Sequence, residues 1–314
     1  MRSIHHAKTP LALAAAVASA LAVSCGDSPQ GFTPWPDQAE FYVGSTSDDT
    51  ALAFSPSGEV LLFTSATSGN PGFYGYSGVG NPSLRVFASW DESTGPTGCW
   101  CDTTYTGEGR IVYTATKDDS TTELRWIPGN ETTVHLILYD SLPHRFATWT
   151  PMADSVLYCT LLDGRWGLWK VDLEAQEPQP FHLPDADCLR PSYSPDGEWI
   201  LYQCDLMGDW DIWAIRPDGT QPRMLAGGTG DDIHPTWGPE GGWYAFSSER
   251  TGNFEIWLGN VHSDTLIQLT DDPGTDLYPA WNPGYGWIGF SSDRVEEGLF
   301  DIFWIDAPTD PDLF

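Results

Sequence analysis

Along residues 40–305 apolar and polar positions alternate in short runs, and the runs are separated by clusters of Pro, Gly, Asp and Asn. Alternation with period two is the mark of a strand with one buried face, and Pro/Gly clusters mark the turns between strands. The runs repeat. Residues 190–202 read RPSYSPDGEWILY, residues 234–246 read HPTWGPEGGWYAF, and residues 278–290 read YPAWNPGYGWIGF. Shorter copies stand at Ala147–Pro151 and Leu52–Gly58, with a degenerate copy at Thr103–Gly109. The key aromatic therefore falls at Phe54, Tyr105, Trp149, Tyr193, Trp237 and Trp281, at intervals of 51, 44, 44, 44 and 44 residues.

Two further markers keep step with the first. An aromatic follows at Phe63, Tyr113, Tyr158, Tyr202, Phe246 and Phe290, and an apolar–aromatic pair at Leu168-Trp169, Ile212-Trp213, Ile256-Trp257 and Ile302-Phe303. Each unit reads as strand, Pro/Gly turn, strand, polar loop, strand, turn, strand. That is one four-stranded blade, so the pattern predicts an all-β, six-bladed β-propeller with four-stranded blades. The aromatics are expected to fill the space between blades. The sixth unit lacks a fourth strand at the C-terminal end. Residues 40–49 (EFYVGSTSDD) align without a gap on residues 223–232 (RMLAGGTGDD), so an N-terminal strand is expected to close the last blade. Closure removes the open edges.

Composition agrees with this reading: 16 Trp, 12 Tyr and 14 Phe stand beside 32 Gly and 25 Pro. Charge adds something new. Lys plus Arg number 14 against 44 Asp plus Glu, a net charge of -30. Nucleic acid is an unsuitable partner for such a surface, because a phosphate backbone requires a basic footprint. An acidic surface suits cations, basic protein patches or simple solubility.

The first residues have a different character. Arg2 and Lys8 precede an apolar run, Leu11–Val23, that ends in Leu21-Ala22-Val23-Ser24-Cys25. Residues 1–24 read as an export signal, residues 25–39 as a tether and residues 40–314 as a single propeller domain. The run before Cys25 resembles a bacterial lipoprotein signal, in which the Cys becomes acylated; Ala22 stands where that pattern usually has Leu, so a plain secretory signal is the alternative. The expected location is the bacterial envelope, periplasmic or surface, with membrane contact only through Cys25.

The unit Pro-x-aromatic-Ser-Pro-Asp-Gly at Pro191–Gly197, with Phe290-Ser291-Ser292-Asp293-Arg294 and Asp211-Ile212-Trp213, resembles the PD40, or WD40-like, repeat. The resemblance implies the six-bladed propeller of TolB-type proteins and covers residues 40–305. TolB proteins also carry a separate N-terminal α/β domain, for which residues 25–39 leave no room, so the Tol-system role does not transfer. Related repeats occur in peptidases, but the hydrolase domain that performs their chemistry is not found in this sequence.

In propellers the blade-joining loops and the loops between second and third strands share one face around a mouth of the channel. The blade-joining loops carry Asp48, Asp49, Asp187, Asp231, Asp232, His234 and Asp276, and the other loops carry Asp205, Arg250 and Arg294. Acidic charge thus gathers on one rim, where it serves either to attract a cation or basic partner or to cap tight turns. The one break in the period places an insertion between Trp90 and Asp102, containing Trp100, on the same rim as a candidate specificity loop. Cys188 and Cys204 are expected to face one another across adjacent strands as a disulfide. Cys99 and Cys101 are too close to pair with each other, which leaves either to pair with Cys159.

No Gly-x-Ser-x-Gly elbow, His-Glu-x-x-His pair or EF-hand loop occurs. No catalytic residue and no cofactor are expected, calcium being the one weak candidate. The reading is a monomeric, non-enzymatic module that binds a protein or envelope component at the acidic rim. The alternative is a carbohydrate- or peptide-active enzyme with a carboxylate or metal site at the channel mouth.

Overall fold

A computed structural model of the chain describes residues 40–43, 49–55, 58, 60–65, 72–77, 83–89, 99–101, 109–116, 122–128, 133–284 and 286–308. The described residues form six antiparallel sheets of four strands each. Blade six takes its outermost strand from the N-terminal side, β1 (Glu40–Val43). Blade one holds β2 (Asp49–Phe54), β3 (Val60–Ser65), β4 (Gly72–Ser77) and β5 (Ser83–Ser89). Blade two holds β6 (Cys99–Cys101), β7 (Arg110–Thr116), β8 (Thr122–Pro128) and β9 (His135–Tyr139). Blade three holds β10 (His144–Trp149), β11 (Ser155–Leu162), β12 (Arg165–Asp172) and β13 (Pro178–His182). Blade four holds β14 (Cys188–Tyr193), β15 (Ile200–Cys204), β16 (Asp211–Ile215) and β17 (Arg223–Ala226). Blade five holds β18 (Asp232–Trp237), β19 (Trp243–Ser248), β20 (Glu255–Asn260) and β21 (Leu266–Gln268). Blade six is completed by β22 (Asp276–Trp281), β23 (Trp287–Glu296) and β24 (Leu299–Asp306). This is the six-bladed propeller that the repeat predicts.

The first strand of each blade lies innermost. The aromatic repeats are buried between blades: Tyr158, Tyr202, Phe246 and Phe290 are among the largest fully buried side chains. One apolar cluster joins Trp243, Ile256 and Leu258 of blade five to Trp281, Phe290 and Phe303 of blade six, and comparable clusters join blades two to three, three to four and four to five. Each large apolar side chain so buried contributes about 1.5–3 kcal/mol, so the ring is held by contacts between blades as much as by hydrogen bonds within them.

The ring closes as the alignment predicts. β1 pairs antiparallel with β24, Glu40 opposite Trp304 and Phe41 opposite Phe303. The seam between blades six and one is tight. Phe54 meets the Trp287 ring edge-on at 4.8 Å, and Asn282 Nδ2 donates to the Gly58 carbonyl at 3.0 Å.

Blade two departs from the sequence reading. The degenerate copy put Tyr105 at the key aromatic position, with Trp100 in a rim loop. In the fold Trp100 lies within β6 opposite Ile111, the register that Trp149 holds opposite Val156 and Tyr193 holds opposite Ile200. Trp100 is therefore a first-strand residue. The physical reason is in the local pattern: Cys99-Trp100-Cys101 is an apolar run, whereas Thr103-Thr104-Tyr105-Thr106 is mostly hydroxyl and gains less from burial. The rest of the proposed loop, residues 90–98, lies outside the described residues.

Candidate functional site: a capped rim and a lined channel

The start of each first strand faces the end of the second strand, and blades three to six place three different chemistries there. In blade three His144 Nδ1 lies 2.9 Å from Thr160 Oγ1. In blade four Cys188 and Cys204 are disulfide-bonded, with Cα atoms 4.3 Å apart. In blade five Asp232 faces Ser248, and Arg250 bridges them, 2.7 Å from Asp232 Oδ2 and 2.7 Å from Ser248 Oγ. Blade six repeats this with Asp276, Ser292 and Arg294, at 2.7 and 2.9 Å. Asp232 is 2% exposed and Asp276 0%. Burial pushes both carboxyls up from their ordinary range, against the pull of their arginines. Four of the expected rim residues, Asp232, Asp276, Arg250 and Arg294, are thus tied into strand-to-strand bridges.

The neighbouring acids cap backbone. Asp187 Oδ1 accepts from the Trp166 N–H at 2.8 Å, and one repeat later Asp231 Oδ1 accepts from the Trp210 N–H at 3.1 Å. Asp205 Oδ1 accepts from the Asp187 N–H at 2.8 Å. A short acidic side chain that caps N–H groups is the ordinary use of Asp in turns. Each of these three acids keeps one carboxylate oxygen without a protein partner among the described residues. Asp48 lies outside the described residues, and the side chains of Asp49 and Trp100 do too. So do Cys25, Cys99 and Cys101 as side chains. Cys159 is free and buried, not paired with either.

Carboxyls crowd one another where blades four and five meet. Asp211 is pushed up to about 6, first by burial and then by the charges of Asp232, Asp209 and Asp231. Glu255 is raised in the same way, by burial and by Asp276 of the next blade. Apolar groups stand beside this charge. On the hairpins and blade-joining loop of blades three and four, Leu183 is 51% exposed, Leu206 45% and Met207 70%.

The channel itself is lined by a second repeat feature. Each long first strand carries a bulge, and at it Phe146, Arg190, His234 and Tyr278, 44 residues apart, take φ near +55° (54°, 56°, 58° and 56°). A non-glycine residue in this region is strained, and such strain concentrates at ligand sites. These residues line a cavity of about 290 Å³ that runs toward the turns at Pro195, Pro239 and Pro283, away from the acidic rim. Of the residues expected at the rim, His234 lines this cavity. Arg190, Tyr278 and Phe146 were not singled out by sequence. The available signal was positional: a variable residue at a fixed step before a repeated Pro or Ala, carrying an arginine in a very acidic chain.

Among the described residues no group of three or more His, Cys, Asp or Glu side chains is placed to hold a metal ion. No helix among them is long and apolar enough to cross a membrane.

Solved structures of similar shape include a TolB-type protein from Agrobacterium tumefaciens, 20% identical, with a TM-score of 0.64 over 84% of this chain and 92% of that one. The chain has the fold of TolB-type propellers. TolB from Acinetobacter baumannii, 16% identical, aligns at a TM-score of 0.65 over 75% of this chain and 57% of its own length. An oligogalacturonate lyase from Vibrio parahaemolyticus, 15% identical, aligns at 0.57 over 86% of this chain and 97% of that one. No protein-family model matches the chain, and no curated protein matches it.

Proposed function

We propose that this TolB-like propeller is a non-enzymatic binding module of the bacterial envelope, held there by acylated Cys25, that grips a protein partner at the acidic rim. The observation that carries the reading is the juxtaposition on blades three and four of exposed Leu183, Leu206 and Met207 with Asp187, Asp205, Asp209 and Asp231. An apolar patch rimmed by like charge is the anatomy of a protein-binding surface, with the acids steering a basic partner and the apolar groups supplying burial. The Asp187 N–H bonded to Asp205 Oδ1 and the Trp210 N–H bonded to Asp231 Oδ1 tie the loops that carry this surface to one another.

The test is capture from envelope extracts by the full chain. The reading predicts a specific partner whose capture weakens with salt and is lost in Asp187→Lys/Asp231→Lys and in Leu206→Asp/Met207→Asp. Turnover of a polysaccharide or peptide panel, with no partner captured, would instead support the enzyme reading that the fold likeness to the lyase brings.

A further inference from the structure

We propose that Arg190, His234 and Tyr278 form a binding site inside the central channel for a carboxylate carried on a slender, largely apolar group. The site lies inside the channel, two residues further along the first strands than Cys188, Asp232 and Asp276, and shares no residue with the rim surface proposed above, so it stands or falls independently of the rim partner.

The case begins with Arg190. Its Cζ lies over the Phe146 ring at 4.2 Å from the centroid and over the Tyr278 ring at 5.2 Å. Two aromatic faces attract a cation, but they offer no oxygen to its N–H groups. Among the described residues no carboxylate, carbonyl or hydroxyl accepts from the Arg190 side chain, although the chain holds 44 acidic residues. The sulfur behind it supplies no anion, because burial pushes the Cys159 thiol up to about 12 and leaves it neutral. Burial likewise draws Arg190 down to about 10, which still leaves it charged at neutral pH. Arg190 is half-buried, and a cation that faces a cavity with aromatic rings on two sides and no counter-ion marks a place for one.

His234 completes the donor set. Its ring stacks on Tyr278 at 4.0 Å and 16°, and its Nδ1 is buried with no partner. Burial, and then the charge of Arg190, holds this imidazole well below its ordinary range, so it is neutral and can donate one N–H. A guanidinium fork beside one neutral N–H donor suits a planar monoanion such as a carboxylate. A phosphate dianion would meet the repulsion of a chain carrying -30. The remaining walls are mostly apolar, Trp237, Pro239, Trp281 and Pro283 among them, and the cavity of about 290 Å³ limits the carrier to a small group or a single chain end. Two sources carry this chemistry, the C-terminal carboxylate of a peptide tail and a small organic acid.

The experiment titrates the full chain with benzoate and with the tripeptide Ala-Ala-Phe as free acid or as amide. Binding is read by calorimetry and by the fluorescence of the cavity tryptophans. The proposal expects at least one acid to bind and the amide not to bind. Preference for the peptide acid assigns a chain terminus, and preference for benzoate assigns an organic acid. Arg190→Gln should weaken binding at least ~10-fold relative to the wild type, with its melting curve recorded to show that the variant is folded. Arg190→Lys should fall between them, since it keeps the charge and loses the fork. Failure of both acids to bind at millimolar concentration, equal binding of the amide, or unchanged affinity in a folded Arg190→Gln would overturn the proposal.

Discussion

Asp276 of blade six stands 88 residues after Cys188 of blade four, and the two hold the same register, opposite Ser292 and Cys204 respectively. One backbone position therefore accepts either a buried ion pair with Arg294 or a covalent bond. The two solutions should be interchangeable. In blade five, where Asp232 faces Ser248, the triple change Asp232→Cys/Ser248→Cys/Arg250→Leu copies blade four, which has Leu206 in place of the arginine. It is expected to form a disulfide between the two new cysteines, read as no gain of free thiols over the wild type in a thiol titration of the unfolded, unreduced protein.

Removing only the arginine should be costly. Arg294→Leu leaves Asp276, which is 0% exposed, without its cation. Breaking one side of a buried pair costs about 3 kcal/mol. The variant should show a lower denaturant midpoint by chemical unfolding, with an unchanged slope.

Asp211 should make a stabilising contribution on mild acidification. Asp211 titrates near 6 in the fold, above its ordinary value of 3.8. Between those values the native state holds the proton more tightly than the unfolded chain, so the stabilisation is full below about pH 4 and is lost as pH rises through about 6. Between pH 7.5 and pH 5 the wild-type melting curves are expected to shift upward relative to those of Asp211→Asn, because His144, His182 and His234, held low by burial, act in the opposite sense in both proteins. Asp211→Asn should raise Tm at pH 7.5 by about 2 °C; parallel pH profiles of wild type and variant would contradict the shift.

The closing seam offers a local test. Gly58 has φ of +73°, and a side chain there would collide with Asn282 Oδ1 across the seam. Gly58→Ala combines backbone strain with that collision and should destabilise by about 2 kcal/mol. Thermal unfolding of the variant measures it.

Deleting residues 1–43 removes β1 and leaves β24 with an open edge. Open edges pair with other chains. The truncated protein is expected to dimerise or aggregate, as seen by light scattering after size-exclusion chromatography.

Much of this architecture was legible in the sequence because each blade repeats the same burial problem. Phe246 and Phe290 mark the second strand by being aromatic at a fixed step, and the match of residues 40–49 to residues 223–232 located the closing strand. In blade two Tyr105 fits the spacing, whereas the fold puts Trp100 in the first-strand register opposite Ile111, a difference that spacing alone does not reveal. The site was less legible. Asp231 and Asp232 are adjacent acids in sequence, yet one caps a hairpin N–H and the other is buried against Arg250. That difference arises because Asp232 is the first residue of β18, opposite Ser248, whereas Asp231 precedes the strand, a boundary that alternation alone does not fix to one residue. Arg190 escaped because its meaning lies in what does not surround it.

The pairing of β1 with β24 has a consequence for how the chain tolerates being cut. Glu40 and Trp304 are neighbours within one sheet, so the backbone traces a circle whose break lies inside blade six. The order of residues in time of synthesis then matters less to the folded ring than their order around it. Circular permutants that join the two ends by a short linker and begin in another blade-joining loop, between Gln268 and Asp276 for example, should build the same six sheets.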